Sequence, residues 1–226
     1  MRISSISIFV TSVTETYLIF KMKTKNKPIN KKGKIDVNSL LSAIDKLSKK
    51  RYLKYIECTE LELIFLELMY HCKLIQKENV KKLSGGKEII FGRNSNPGVQ
   101  HQYYVYEIVD YLKSKGIKFV NKTATGPDIM FTNFKQKWYK TGVIEYETGY
   151  SFVHYKKSRL GYMQEKIQKR INMGKLIIVV CSDYSYPIFK KVVEPFKDTK
   201  NFYLLRIDEF VPWFDKNYDY VMKLIS

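Results

Sequence analysis

Cysteine is scarce in this 226-residue chain, which has only Cys58, Cys72 and Cys181. An odd number without CxxC spacing argues against a secreted disulfide scaffold and for a reducing compartment, the cytoplasm. Acidic side chains are also few, 22 Asp and Glu against 40 Lys and Arg, leaving a formal net charge of +18 and a pI near 9.6. Long hydrophobic runs are missing from the start of the chain. There Ile3, Ile6, Ile8, Phe9, Val10 and Val13 alternate with hydroxyl residues, and Glu15 interrupts them. Neither a membrane span nor a signal peptide is expected there. That stretch is either a loosely docked strand or, with Met22 as another initiator, an over-long start.

What is present sets the class. Apolar residues at 45% and aromatics at 15% are incompatible with a disordered tail protein. A chain of this length buries roughly 70% of its unfolded surface and needs no disulfide or metal staple. The excess positive charge suits a polyanion, with nucleic acid ahead of a membrane surface because no long basic amphipathic helix with a bulky apolar face is evident.

The chain reads as two parts, a basic arm and mainly helical module over 1–91 and an α/β core over 92–226. Residues 21–54 hold 12 Lys and Arg against Asp36 and Asp45, a local net of +10. Lys21 to Lys34 reads as a flexible arm broken by Pro28 and Gly33. Leu40, Leu41, Ile44 and Leu47 predict one helix. Thr59 with Glu62 predicts a capping box opening a second, through Leu61, Phe65, Leu68 and Met69. Gly85-Gly86 predicts a turn into a strand over 87–91. This module is either a small DNA-binding unit or a helical cap on the core.

Beyond the loop at 92–98 the pattern predicts a helix over 101–115 stopped by Gly116. Strands follow at 117–121, 128–131 and 142–148, a helix at 162–173, strands at 176–181 and 202–207, and a C-terminal helix at 215–225. Leu176 to Cys181 (LIIVVC) is a continuous apolar run expected of a strand buried on both faces. The fold class is therefore α/β, a mixed central sheet flanked by helices.

The chemistry-bearing stretch is Gly126-Pro127-Asp128-Ile129, followed by Val143-Ile144-Glu145-Tyr146-Glu147, with 16 residues between Asp128 and Glu145. Glu145 and Glu147 project from one face of a strand, Ile144 and Tyr146 from the other. If the two strands pair, Asp128 and Glu145 meet at one end of the sheet. Carboxylates converging in that way repel unless a cation compensates them, and a hard divalent ion does so with oxygen ligands. Cys58, His71 and Cys72 lack zinc-finger spacing and read as core. His154 reads as structural or DNA-facing.

These residues and the order of elements resemble the PD-(D/E)XK nuclease superfamily, which includes restriction endonucleases, RecB-like nucleases and archaeal Holliday-junction resolvases. The resemblance spans roughly residues 101–210 and implies a restriction-endonuclease-like αβββαβ core. It implies a Mg²⁺- or Mn²⁺-dependent DNA endonuclease, structure-selective and acting on branched or double-stranded DNA, and working as a homodimer. Asp128 and Glu145 would hold the metal with the Tyr146 carbonyl, and Glu107 on the preceding helix would join them. Glu147 stands where the family usually has lysine, so either a lysine from elsewhere, Lys156 or Lys157, replaces it, or the scaffold is a non-catalytic DNA binder. Lys156, Lys157, Arg159, Lys166, Lys169 and Arg170 are the expected phosphate contacts. Gln164 and Gln168, one turn apart, are candidates to reach a groove edge. The small basic chain with an N-terminal addition is also similar to nuclease-like proteins of crenarchaeal spindle-shaped viruses, which would place it in the host cytoplasm.

Overall fold

A computed structural model describes residues 37–50, 52–94, 98–123, 126–134, 141–149 and 159–226. The arm at 21–34, the first twenty residues, His154, Lys156 and Lys157 lie outside them, as does the side chain of Arg159. The chain divides into two compact units. One comprises the described residues up to Val80 with Glu88–Val99, the other Lys81–Lys87 with Gln100–Ser226. No helix among the described residues is long and apolar enough to cross a membrane.

The first unit contains helices α1 (Val37–Lys49) and α2 (Glu60–His71) and strands β1 (Tyr52–Lys54), β2 (Ile75–Lys81) and β3 (Lys87–Arg93). The strands form a sheet in the order β1-β3-β2, with Tyr52 opposite Gly92. The expectation of a mainly helical module is thus corrected by a three-stranded sheet. β2 (IQKENVK) escapes sequence reading because only Ile75 and Val80 are buried in it, a spacing that is not the strand period. The capping box is as expected. The Glu62 amide donates to Thr59 Oγ1, and the Glu62 carboxylate accepts the Thr59 amide. Leu40, Ala43, Leu47, Leu66 and Met69 are buried, whereas Leu41 and Leu61 are exposed. Leu41 lies one residue, about 100° of helix, off the stripe formed by 40, 43 and 47.

The second unit contains α3 (Val99–Ser114), β4 (Phe119–Lys122), β5 (Ile129–Thr132), β6 (Gly142–Glu147), α4 (Arg159–Met173), β7 (Leu176–Cys181), α5 (Tyr186–Val192), β8 (Phe202–Arg206), α6 (Ile207–Lys216) and α7 (Tyr218–Ile225). Strand order is β4-β5-β6-β7-β8. The first two pairings are antiparallel and the last two parallel, so the sheet is mixed. All six residues of β7 are buried, as its apolar run predicts. Gly116, at φ +81°, ends α3 as expected, its amide bonding the Lys113 carbonyl. The single C-terminal helix of the sequence reading is two helices, parted at Asn217, and the first begins at Ile207 rather than 215.

Side-chain alternation assigns the faces of this sheet. Met163 and Ile167 of α4 pack with Val179 and Cys181, and with Phe189 and Val192 of α5. On the other face Tyr104 of α3 stacks on Tyr146, while Tyr111 meets Phe210 and Phe214 of α6. Each large buried apolar side chain contributes roughly 1.5–3 kcal/mol, so these two layers fix where the strand ends lie. Gly142 shows how tight the fit is, since a Cβ there would sit 2.2 Å from the Phe131 ring.

Candidate active site

The register of the sheet brings the two key carboxylates together. Ile129 lies opposite Ile144 and Met130 opposite Val143, so one further step sets Asp128 opposite Glu145. Asp128 Oδ2 accepts the Tyr146 amide at 2.8 Å, just beyond the last paired residues. Within a strand a residue's N–H and C=O point the same way, which directs the Tyr146 carbonyl to the Asp128 side as well. Glu145 is fully buried and Glu147 is 8% exposed, so neither belongs to a solvated edge.

Charge compensation comes from α4. Lys166 Nζ lies 2.7 Å from Glu145 Oε2 and 2.8 Å from Glu147 Oε1. One turn on, Arg170 Nε donates to Glu145 Oε1, and Arg170 Nη2 donates to the Gly126 carbonyl at 2.7 Å. Lys166 and Arg170 share a helical stripe with the buried Met163 and Ile167, and that spacing turns them toward the sheet. Both are expected phosphate contacts, and in the structure their charged groups pair with the carboxylates. The energetic scale supports the distinction: breaking a buried pair costs ~3–5 kcal/mol. Lys169 pairs with Glu165 four residues away, both largely exposed, and water and salt screen such a contact. Gln164 donates to the Val192 carbonyl and Gln168 to Asn172, so both side chains have partners within the unit.

Two observations concern α3. Among the described residues no metal-holding group includes Glu107. That residue lies six residues beyond His101, about 120° around the helix and ~9 Å along it. His101, which the sequence reading missed, is at the cluster, with Nε2 3.3 Å from Asp128 Oδ1 and its ring against Tyr146. Its signal was legible: His101 precedes Tyr104, Val105 and Ile108 at helical spacing on the buried stripe.

The environment splits the two carboxylates. Burial pushes Glu145 above the ordinary range, aided by the Asp128 charge and opposed by Lys166 and Arg170. Burial would do the same to Asp128, but His101, Lys166 and the Tyr146 amide outweigh it and hold that group low. Glu147 is raised by burial against the pull of Lys166. Burial alone would lower Lys166, yet Glu147 and Glu145 together hold it above the usual lysine value. Two neighbouring carboxylates with shifts of opposite sign are a recurrent feature of acid–base and metal sites, and also of structural ion clusters.

The donor set also decides what kind of ion fits. Among the described residues no group of three or more His, Cys, Asp and Glu is arranged to hold a metal. A full protein cage is therefore not built. Glu145 Oε2 is buried, and its neighbour is the Lys166 ammonium at 2.7 Å. Three carboxylates face Lys166 and Arg170, one negative charge in excess, apart from His101. Mg²⁺ is held in many sites by one or two carboxylates with water and substrate phosphate completing its shell. An ion held in that manner would take oxygens of Asp128, Glu145 and the Tyr146 carbonyl, and would displace Lys166 or Arg170 from Glu145.

Comparison with protein-family models, curated proteins and solved structures gave no match.

Proposed function

We propose that the protein is a metal-dependent DNA endonuclease with a restriction-endonuclease-like core. The observation that carries this reading is the meeting of Asp128 with Glu145 at one sheet end, beside an ammonium delivered by Lys166. Lys166 lies within ion-pair distance of Glu147, the position where the PD-(D/E)XK nucleases that the motif resembles usually carry lysine. It supplies from a helix the charge that the strand lacks.

Asp128 and Glu145, with the Tyr146 carbonyl, would hold one Mg²⁺ or Mn²⁺. Such an ion acts as a Lewis acid toward the scissile phosphate and favours ionisation of water. The Tyr146 amide fixes Asp128, and His101 holds its other oxygen. Lys166 would offset the negative charge that grows on the phosphate as water attacks phosphorus and the 3′ oxygen leaves. The +18 net charge draws the polyanion, with affinity falling as salt rises. Cleavage of both strands, or of a symmetric junction, asks for two such sites and hence a homodimer.

The test is incubation with a four-way junction, a linear duplex and a single strand in Mg²⁺ or Mn²⁺. Cleavage is expected in the parent and its loss in Asp128→Ala and Glu145→Ala. No cleavage by the parent, or equal cleavage by the variants, overturns the reading. A second reading, a catalytically inactive DNA-binding protein on the same scaffold, is favoured by the pairing of Lys166 and Arg170 with Glu145 and Glu147. It predicts salt-sensitive DNA binding without site-specific uptake of Mn²⁺ in calorimetric titration.

A further inference from the structure

The side chain of Arg170 joins two segments that are far apart in sequence. Nε donates to Glu145 on β6, Nη2 to the carbonyl of Gly126 two residues before Asp128, and Nη1 to Met173 Sδ at 3.6 Å. Each of its three nitrogens is thus engaged within the protein, and the side chain is only 12% exposed. The Gly126 segment is pinned from its other side by Thr123, whose Oγ1 accepts the Gly126 amide at 3.0 Å and donates to the Pro127 carbonyl.

We infer that Arg170 is a positioning residue, a planar strut that sets the Asp128-bearing segment against Glu145 rather than a contact for DNA phosphate. Guanidinium geometry explains why an arginine is needed. Its donors point in fixed, divergent directions and reach a carboxylate and a backbone carbonyl at once, whereas an ammonium is a single charged point. By occupying Glu145 Oε1, the strut leaves Oε2 to Lys166, 2.7 Å away. Residues that orient metal-binding carboxylates typically change metal affinity by 10–100-fold when replaced. The inference rests on the proposed function for its consequence, though not for its geometry.

The experiment compares Arg170→Gln and Arg170→Lys with the parent in three measurements. Amide hydrogen exchange at Tyr146 reports the Asp128 position directly, because that amide is bonded to Asp128 Oδ2. Mn²⁺ titration reports the metal, and duplex binding in EDTA reports phosphate contacts. The strut predicts exchange at Tyr146 at least ~10-fold faster relative to Val179, Mn²⁺ affinity ~10-fold weaker, and DNA affinity within ~2-fold of the parent. Arg170→Lys, which keeps the charge and the fold, is expected to show the same loss. Unchanged exchange at Tyr146 together with a ~10-fold fall in DNA affinity overturns it in favour of a phosphate contact. If the parent itself takes up no Mn²⁺ and cuts nothing, the proposed function fails, and the exchange measurement alone decides the strut.

Discussion

Lys166 and Glu147 lie 19 positions apart on a helix and a strand, and their charged atoms are 2.8 Å apart. The same ammonium is 2.7 Å from Glu145, so one cation serves two buried carboxylates. Removing a partner from such a group leaves uncompensated charge where water cannot reach.

Lys166→Met is therefore expected to destabilise the fold by about 3 kcal/mol or more at neutral pH, measured by denaturant unfolding. The sign of the pH dependence follows from the raised lysine value. A cation whose folded pKa lies above its unfolded one contributes fully below the unfolded value, ~10.4, and loses that contribution as pH rises through the folded one. The gap between parent and variant should narrow above pH ~10.5, while a constant gap would count against this role for Lys166.

Exchanging the pair tests whether position or charge matters. Glu147→Lys combined with Lys166→Glu restores one acid and one base in the opposite order. The double variant is expected to be more stable than either single change, with a coupling of ~1–3 kcal/mol in a double-mutant cycle. Simple additivity would show that the two side chains do not interact in solution.

Glu62 governs acid stability of the first unit. Burial would raise it, but hydrogen bonds from Lys46, Ser42 and the Thr59 amide prevail and bring it down to about 2. A depressed carboxylate stabilises above its unfolded pKa, and the contribution is lost as pH falls through the folded value. Helices α1 and α2 should weaken between pH ~4.5 and ~2, and Glu62→Gln should abolish that slope. Because Lys46 is over a third exposed, the contribution at pH 7 is on the order of 2 kcal/mol. Site-resolved hydrogen exchange of the two helices provides the measurement.

Gly142→Ala probes the sheet beneath the site. A Cβ at that position meets the Phe131 ring at 2.2 Å, so the ring has to move. Thermal unfolding should show a loss of ~1–3 kcal/mol, relieved in part by adding Phe131→Leu. Full retention of stability would mean that the ring has space to swing aside.

Much of the second unit was legible because its strands and helices carry unambiguous periods. LIIVVC spans β7 to the residue, and Gly116 marks the end of α3 because it alone pays no steric penalty at positive φ. β2, with its polar sequence, and α5, a short helix, carried no such signal. At the site, strand alternation foretold Glu145 with Glu147, and pairing foretold Asp128 with Glu145. His101, Lys166 and Arg170 were readable as stripe positions, yet a charged residue on an apolar stripe is ambiguous until its partner is known.

By itself the sequence determined the periodicities, the excess of positive charge and the main strands of the second unit, since these depend on neighbours a few residues apart. Only the tertiary structure decided that Lys166 and Arg170 turn inward and that His101 attends Asp128. The reason is physical. Which charge compensates a buried carboxylate depends on distances across layers of the fold, and those are set by how helix faces seat on the sheet.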